Sequence, residues 1–513
     1  MGDQRLELPP LSPEVYRWER SPADPLILQR RGNGAETTSG TKERNAKGDI
    51  DIWMLLTLHV HDIPTTTALS LSTLEKKLRA ALLDIRFEHP EVACAALWDD
   101  RLGPLYQYVP PKDSEAALAW ARKAIQVRAT SQTGHDVRLE IEKQRKVDGT
   151  GATKPVTIYA VADVTDKNAP LISGTGLEIL IHMNHLYWDG KAVRIFAGDL
   201  VRKLSQDLSS KHKKYRWGEE INNLNAPVLD VLKVDIRSLG DDFINAREKY
   251  ARGVLRTQSS WGLKFNLGEG TPCSIFHSFT ITESKGIISA LKRRFGPKYT
   301  ITHLGQAAVV LALLKANPPN DNVFGSQSFI TTPPVDGRRW LQEDHAKQYY
   351  GVCLTGAVIE FEDVGCLMVD TNDKVAVIEA LEKGCRITKE AYDRWMSNSF
   401  QLPLGISMYN FLANFSFPNQ GPVPTMAGPL FVSDGVNDDF IPGDVVSPTT
   451  GQKLISLDRF IVFHNQYLPY MLLRLDSWKG ASTLSLCYND ACYNAAEATS
   501  FLRDVVGYMM AVL

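Results

Sequence analysis

The chain has 513 residues, and its 57 Lys and Arg side chains nearly balance its 59 Asp and Glu, for a formal net charge of −2. This balance argues against the clustered basic surface that nucleic acid or an anionic membrane requires, so we expect neither as a partner. Apolar residues make up 44% of the chain and charged residues 23%, as in ordinary globular proteins. The length suggests about two to four domains.

The seven cysteines are widely spaced and include no CxxC pair. This pattern indicates neither a disulfide scaffold nor a zinc ribbon, and it fits a reducing compartment. The start of the chain lacks the apolar segment of a secretory signal, and the longest apolar run, 307–314, is far shorter than the roughly 18 residues of a membrane span. We therefore expect a cytoplasmic protein without a membrane span.

The first part of the chain alternates between strand and helix patterns. Residues 31–49 have no periodic apolar positions and are interpreted as a mobile loop or arm, because nothing there offsets the entropy of ordering. After a buried strand at 51–61, Ser72 is the predicted N-cap of a helix, with Glu75 completing a capping box. The other predicted elements are strands at 92–98, 105–109, 156–163 and 177–183, and helices at 114–127 and 193–204.

A polar stretch without apolar rhythm, 204–225, is the predicted connection between two lobes. It divides the chain into an N-terminal lobe, 1–215, and a C-terminal lobe, 216–513, which begins with a crossover between the lobes. Strands and helices interleave in both lobes, which predicts an α/β fold with mixed sheets. The second lobe is predicted to contain helices at 284–295, 302–316, 372–395 and after Cys492, and strands at 275–281, 327–332, 353–361, 430–433, 460–465, 470–476 and 483–488.

The most informative segment is the turn between the strand at 177–183 and the following helix. In this turn His185 lies at the carboxyl end of the strand, where α/β sheets place ligand sites. Asp189 suits a helix N-cap, and Gly190 suits a tight turn. A histidine that only hydrogen-bonds in a loop and an aspartate that only caps a helix remain alternatives. The combination His-x-x-x-Asp-Gly at a strand–turn–helix junction favours a functional site.

A metal site is a second interpretation of the same residues, with His182, His185 and Asp189 as three ligands. That spacing requires a helix, whereas 177–183 is predicted to be a strand, so the two imidazoles would point in unrelated directions. We therefore expect no metal. The chain also has no Gly-x-Ser-x-Gly elbow, no P-loop lysine and no dinucleotide fingerprint, which leaves a covalent serine mechanism and nucleotide chemistry without support.

The segment from His185 to Gly190 resembles the HxxxDG motif of coenzyme A-dependent acyltransferases. That superfamily includes chloramphenicol acetyltransferase, the plant BAHD acyltransferases and the condensation domains of peptide synthetases. A second stretch, 334–339 followed by 349–351, is similar to the family's VDxR…YFGN region, and HxxxDG lies about a third of the way along a chain of this length, as in the family. Among members of the superfamily, the chain is most similar to the fungal trichothecene O-acetyltransferases.

The resemblance implies an α/β fold with two chloramphenicol-acetyltransferase-like lobes, each a mixed β-sheet with flanking helices, and an active-site tunnel between them. It implies transfer of an acetyl group from acetyl-CoA to a hydroxyl of a sesquiterpenoid, the 15-hydroxyl of a trichothecene, by a monomer that uses no metal. His185 would be the general base that accepts the proton of the alcohol.

The resemblance also implies roles for other residues. Asp189 would be structural, locked with Gly190 in the turn by an ion pair with Arg338. Ser433 and Gly435 would lie on the oxyanion or acyl-donor side, by the match of 431–435 to the family's SxG segment. Tyr187 and Trp188 would line the substrate tunnel, although ordinary core packing explains them equally well.

The chain departs from the family pattern in two places. The DFGWG motif of the plant members is missing, and Asn184 replaces the first histidine of the peptide synthetases' double His. Two alternatives to O-acetyl transfer remain open: a condensation-type amide- or ester-forming acyltransferase, and a non-catalytic binding relative.

Overall fold

The structure, a computed structural model, describes residues 11–61, 69–148, 154–205, 215–319, 327–414, 425–447 and 450–513. The helices are α1 (Ala35–Asn45), α2 (Leu71–Glu88), α3 (Ser114–Ala124), α4 (Gly134–Asp148), α5 (Gly190–Leu204), α6 (Asp241–Arg256), α7 (Ile281–Phe295), α8 (Ile301–Ala316), α9 (Glu343–Ala346), α10 (Lys374–Met396), α11 (Gln401–Ala413) and α12 (Ala495–Met510). The strands are β1 (Glu19–Arg20), β2 (Leu28–Arg31), β3 (Ile52–Val60), β4 (Ala95–Asp99), β5 (Gly103–Tyr108), β6 (Ile125–Ala129), β7 (Val156–Ala162), β8 (Leu177–Met183), β9 (Leu263–Lys264), β10 (Pro272–Ser278), β11 (Phe329–Thr331), β12 (Pro334–Asp336), β13 (Leu354–Gly356), β14 (Ile359–Phe361), β15 (Met426–Ala427), β16 (Leu430–Val436), β17 (Asp444–Val446), β18 (Lys453–His464), β19 (Leu472–Trp478) and β20 (Ala481–Asn489).

The larger sheet has the strand order β17-β18-β3-β8-β7-β6, with β3 as a largely apolar, mostly buried central strand. Both β18 and β8 pair antiparallel with β3, so they run in the same direction and end at the same edge. His464 at the end of β18 lies opposite Ile52, which in turn lies opposite Met183 at the end of β8. The residues that follow these two strands therefore meet at one edge of the sheet.

The second sheet has the order β10-β20-β19-β16 and mixes antiparallel pairs with the parallel pair β16–β19. Helix α8 packs between α10 and α12, and it is buried along most of its length. An apolar sequence on all sides is what such an enclosed helix requires. The mixed sheets with flanking helices confirm the predicted α/β fold class.

The two parts of the chain are not separate in the larger sheet. Strands β17 and β18, which come late in the sequence, complete the sheet that β3, β8, β7 and β6 begin. The boundary between residues 215 and 216 stays a prediction, and residues 206–214 of the predicted connection lie outside the described residues.

The interpretation of 31–49 as a mobile loop or arm was wrong, because residues 35–45 form helix α1 and most of them are buried. The helix lacks an apolar stripe, and tertiary contacts rather than its own pattern hold it in place. Gly34 N–H donates to Asn410 Oδ1 at 2.7 Å, and Thr38 Oγ1 donates to the Tyr409 carbonyl at 2.6 Å. Both partners belong to α11, which the sequence analysis did not identify.

Several helix starts differ by about one half turn from the prediction. Ser70, not Ser72, caps α2 by accepting from the Thr73 N–H at 3.2 Å. Thr300, not Thr302, caps α8. A Ser or Thr just inside a helix looks in sequence like one at its cap, and only backbone conformation separates the two. The predicted strand at 353–361 is two short strands, the predicted helix at 114–127 ends at Ala124, and helices α4 and α6 were not predicted.

Among the residues that the structure describes, no helix is both long and apolar enough to cross a bilayer.

Candidate active site

His185 lies in the turn between β8 and α5, at the edge of the larger sheet. It lines a cavity of about 390 Å³ that also includes residues from the later part of the chain, such as Leu354 and Arg474. A larger cavity, of about 860 Å³, lies between α6 and α10 and contains none of the predicted site residues. We call the cavity beside His185 the active-site cavity.

Asn184 fixes the turn from the side of the sheet. Its Nδ2 donates to Asp51 Oδ1 at 2.8 Å, and its Oδ1 accepts from the Leu186 N–H at 2.9 Å. Asp51 also accepts from Arg145 Nη1 at 2.5 Å, and His182 Nε2 lies 2.6 Å from its Oδ2. Burial alone would raise the pKa of Asp51, but the neighbouring His182 and Arg145 lower it to about 2. The carboxylate therefore stays ionised and anchors the backbone that carries His185.

The environment keeps the His185 imidazole neutral. Burial lowers its pKa from 6.5 to about 4, and the charges of Arg474 and Lys42 act in the same direction. Its Nδ1 is buried and has no hydrogen-bond partner among the described residues. A neutral imidazole carries its proton on one ring nitrogen and keeps a lone pair on the other. A neutral imidazole with a free lone pair beside a cavity is suited to accept a proton.

Asp189 is fully buried and uses both carboxylate oxygens for structure. Oδ1 caps α5 by accepting from the Ala192 N–H at 2.7 Å. Oδ2 accepts from the Cys353 N–H at 2.7 Å and from Arg338 Nη1 at 2.9 Å. The carboxylate thus joins the turn to the later part of the chain and has no hydrogen bond to the His185 ring.

Arg338 is 4% exposed, and all of its guanidinium donors are used. Nη1 donates to Asp189 and to Asp336 Oδ1, both at 2.9 Å. Nη2 donates to the Tyr349 and Gly351 carbonyls at 2.9 Å, and Nε donates to the Tyr349 carbonyl at 3.1 Å. Burial alone would lower the pKa of Arg338, and the two carboxylates hold it above its ordinary value instead. The structure therefore contains the ion pair that the sequence predicts.

Gly190 follows Asp189 where a second buried charge network leaves no room for a side chain. A Cβ there would lie 2.6 Å from Arg474 Nη2. That guanidinium donates twice to Asp434, through Nη2 at 2.8 Å and Nε at 3.0 Å. Arg194 of α5 bridges Asp434 and Asp476 from the other side. Close approach of Arg474, rather than an unusual φ, explains glycine at this position.

His464, which was not predicted from the sequence as a site residue, also lines the active-site cavity. Its ring lies edge to face with the ring of His185, with centroids 5.5 Å apart. Its Nδ1 donates to the Asn465 carbonyl at 2.7 Å, and burial together with His185 and Arg474 lowers its pKa well below 6.5. His464 ends a predicted strand as His185 follows one, so the same carboxyl-end argument could have found it.

Tyr187 and Trp188 were predicted as substrate-pocket residues, and the structure places both in the core. The Tyr187 hydroxyl accepts from the Ala96 N–H at 2.8 Å, and the side chain is 5% exposed. Trp188 is fully buried and donates its Nε1–H to the Pro155 carbonyl at 2.8 Å. Neither ring lines the active-site cavity: Tyr187 packs on Tyr106 of β5, and Trp188 packs on Phe196 of α5. Their assignment to the substrate pocket stays a prediction.

Ser433 and Gly435 do not line the active-site cavity. Ser433 Oγ accepts from Thr302 Oγ1 at 2.9 Å, on the side of β16 that faces α8, whereas Val432 faces the cavity. Gly435 is exposed and follows a bulge that leaves Asp434 unpaired in the strand register. Their assignment to the acyl-donor side stays a prediction.

The three residues of the alternative metal site do not converge. His182 stacks on Trp53, with centroids 4.2 Å apart, and binds Asp51, while Asp189 binds Arg338. Within the described parts of the chain, no group of three or more His, Cys, Asp or Glu residues could hold a metal ion.

Comparison with known proteins agrees with this geometry. A family model described as 15-O-acetyltransferase Tri3 matches residues 8–413. The chain is 44% identical to trichothecene O-acetyltransferase TRI3 of Trichoderma arundinaceum, over 99% of both chains. It is 38% identical to the solved structure of TRI3 trichothecene 15-O-acetyltransferase from Fusarium sporotrichioides, with a TM-score of 0.93 over 98% of this chain and 99% of that chain.

A more distant likeness concerns the fold alone. The EpoB NRPS cyclization-docking bidomain of Sorangium cellulosum is 12% identical, with a TM-score of 0.56 over 99% of this chain and 88% of that chain. The two-lobed fold with an HxxxDG turn makes the protein an acyltransferase of the superfamily that the sequence resembles. Within that superfamily, the chain belongs to the 15-O-acetyltransferase Tri3 family.

The lowered pKa of His185 predicts an unusual pH dependence. Because a base must be unprotonated, activity should stay level as the pH falls from 8 to roughly 5 and decline only as it approaches the pKa of about 4. We expect this acid limb in kcat/KM for the acceptor, measured at saturating acetyl-CoA with folding checked by circular dichroism at each pH. An acid limb near 6.5 in folded protein would show that the ring is not desolvated.

The Asp189–Arg338 ion pair predicts non-additive effects of substitution. Asp189→Asn and Arg338→Met should each cost about 3–5 kcal/mol of unfolding free energy, because each leaves a buried charge without its partner. The double variant should be less damaged than the sum of the two single variants. Denaturant unfolding of all four proteins measures the coupling.

Arg339→Met is the matched control for this cycle, since Arg339 is exposed beside Arg338. It should unfold like the wild type. Additive losses in the double variant would show that the two charges do not stabilise each other.

Gly190→Ala should break the contact between Arg474 and Asp434, since the added methyl would overlap the guanidinium. We expect a loss of about 1–3 kcal/mol in stability, as for other overpacking substitutions, and reduced activity. Gly507→Ala in α12 is the control, because a Cβ there meets no atom within 4 Å. That variant should be unchanged or more stable by up to about 1 kcal/mol. Equal stability of the two variants would contradict the steric argument.

Proposed function

We propose that the protein transfers the acetyl group of acetyl-CoA to the 15-hydroxyl of a trichothecene, with His185 as the general base. The observation that carries this proposal is the neutral imidazole of His185, which borders the active-site cavity. Membership of the 15-O-acetyltransferase Tri3 family, and the similarity to trichothecene 15-O-acetyltransferase of Fusarium sporotrichioides, support the acceptor and the position of its hydroxyl. The thioester of acetyl-CoA is an acyl donor that suits such a base, because its carbonyl is already activated towards attack by an alcohol.

The chemistry needs no covalent enzyme intermediate. His185 Nε2 accepts the proton of the alcohol as its oxygen attacks the thioester carbonyl carbon. The C–S bond of the resulting tetrahedral species then breaks, and the imidazolium returns its proton to the CoA thiolate. General-base catalysis of this kind contributes roughly 10²- to 10⁴-fold. Burial of the ring, which disfavours the imidazolium, also favours this final proton return.

Asp189 has a supporting role in this mechanism. Its oxygens are occupied by the α5 N-terminus, by Cys353 and by Arg338, so it does not orient the imidazole as the aspartate of a Ser-His-Asp triad does. Instead it fixes the helix start that follows His185. Asn184 and Asp51 fix the strand side of the same turn.

We further propose that the enzyme works as a cytoplasmic monomer. All seven cysteines are free thiols, and five of them are buried, which suits a reducing compartment. The active-site cavity is built within one chain from segments between Ala35 and Arg474. A second copy is not needed to complete it.

His185→Ala tests the assignment of the base. It should lower kcat for CoA release by about 10²- to 10⁴-fold and leave the affinity for acetyl-CoA nearly unchanged. The assay mixes protein, acetyl-CoA and a trichothecene with a free 15-hydroxyl, and it follows the released thiol and the acetylated product. The control is His277→Ala on β10, outside the active-site cavity, which should retain full activity.

Other outcomes separate the alternatives. Normal turnover of His185→Ala would remove His185 as the base. Release of CoA with amine acceptors but not with alcohols would favour the condensation-type alternative. Binding of acetyl-CoA and acceptor by the wild type without turnover would indicate a non-catalytic relative.

A further inference from the structure

One face of helix α1 forms a wall of the active-site cavity. Ala35, Thr38, Ser39 and Lys42 line it, and their spacing of i, i+3, i+4 and i+7 places them on the same side of the helix. The segment that looked like a mobile arm in sequence thus reaches the same cavity as His185. Three of the four α1 residues that line the cavity have polar side chains.

Hydrogen bonds and close packing against neighbouring elements fix the position of this wall. Besides the bonds of Gly34 and Thr38 to α11, Glu36 accepts a bidentate pair from Arg30 at 2.6 and 2.8 Å. Gly34 has a φ of 49°, and a Cβ there would lie 3.1 Å from Ile406 Cα of α11. The position of the lining residues is therefore set before a ligand binds, and a ligand must match it.

Lys42 is the unusual member of the wall. Its ammonium makes no hydrogen bond or close ion pair with any residue that the structure describes, although its charge acts on the buried Asp49 and opposes the rise that burial causes in the pKa of that carboxyl. Its charge lowers the pKa of both His185 and His464, so it lies within electrostatic range of the two rings. The Ser39 hydroxyl, one turn away on the same face, likewise has no hydrogen-bond partner among the described residues.

A ligand that fills the cavity displaces water from these two groups. If the ammonium loses its water and gains no oxygen partner, the free-energy penalty is larger than that of an ordinary unsatisfied polar group. The rest of the cavity combines apolar side chains, such as Leu354 and Leu472, with hydroxyl-bearing ones, such as Thr257. The fitting ligand is therefore a compact molecule with both apolar and oxygen-bearing groups, one of which is an oxygen acceptor at the α1 wall.

The ligand at the α1 wall could be the alcohol or the phosphate groups of the acyl donor. The charges of the cavity favour the alcohol. Arg474, the other permanent cation among the described lining residues, is committed to Asp434. A single ammonium without a hydrogen-bond partner suits one carbonyl or ether oxygen, whereas a polyphosphate group requires several donors.

We propose that Lys42 and Ser39 form an oxygen-binding subsite for the acceptor alcohol, donating hydrogen bonds to a carbonyl, ester or ether oxygen while the reacting hydroxyl faces His185. This subsite rests on the proposed acetyl transfer to an oxygenated alcohol. It makes α1 a determinant of which alcohol binds and in which orientation.

Calorimetric titration tests the subsite without turnover. The probe is a trichothecene with a free 15-hydroxyl, titrated into the wild type, Lys42→Met, Lys42→Arg and Ser39→Ala in the absence of acetyl-CoA. Lys42→Met should weaken binding by about 10- to 100-fold, as expected for the loss of a charge-assisted hydrogen bond. Lys42→Arg should recover part of this loss, and Ser39→Ala should weaken binding by about 2- to 10-fold.

Lys47→Met is the matched control, because Lys47 is exposed just beyond α1 and is not a cavity residue. It should bind like the wild type. Lys42→Met should lower the melting temperature only slightly, through the lost attraction to the buried Asp49 carboxyl. Lys42→Arg keeps that charge and should melt like the wild type, as should Ser39→Ala and Lys47→Met.

Kinetics then separate this proposal from the proposed function. With CoA release as the readout, Lys42→Met should raise KM for the alcohol and leave KM for acetyl-CoA and kcat within about twofold. Unchanged binding of the alcohol by Lys42→Met would overturn the subsite. A rise confined to KM for acetyl-CoA, or a loss confined to kcat, would also overturn it, in favour of a donor-binding or oxyanion role. Absence of CoA release by a wild type that binds the alcohol through Lys42 would instead overturn the proposed function alone.

Discussion

The buried ion pair between Asp189 and Arg338 is the contact on which the active site depends. Asp189 starts α5 directly after the turn that carries His185, and Arg338 comes from the later part of the chain. Taking both charges out of water is unfavourable, and the structure offsets this with further hydrogen bonds. Asp189 also accepts from the Ala192 and Cys353 N–H groups. The remaining donors of Arg338 bond to Asp336 and to the Tyr349 and Gly351 carbonyls. The pair therefore stabilises one relative placement of these two segments rather than adding general stability.

The turn also depends on a second set of contacts on its other side. Asn184 bonds to Asp51 at the start of β3, and Asp51 is held by Arg145 and His182. His185 lies between these contacts and the Asp189–Arg338 ion pair, and both burial and nearby cations oppose its protonation. The arrangement combines a rigid backbone with a ring that readily gives up any proton that it accepts, which is what a base that must also reprotonate a thiolate needs.

The sequence predicted the elements whose own pattern determines them. Strand β8 matches its predicted bounds because its apolar run ends at the polar turn, and α5 follows the spacing of its apolar positions. Helix α1 escaped prediction because contacts with α11, not a stripe of apolar residues, stabilise it. The sequence did not show that the side chains of Ser433 and Trp188 lie outside the active-site cavity, because the direction of a side chain depends on strand pairing and turn geometry, which local pattern does not specify.

The active-site cavity shows why its full set of residues could not be read from one motif. His185 and His464 meet because β8 and β18 flank β3 in the same direction, although the two histidines are far apart in sequence. Lys42 reaches them from a helix that precedes β3, and Arg474 from a strand of the second sheet. Each comes from a different element, and only HxxxDG has a local signature. The motif identifies the base. The residues that lower the pKa of this base and face the acceptor are brought there by long-range pairing. Relatives can therefore keep the same chemistry while the residues of the α1 wall, which contact the alcohol, change.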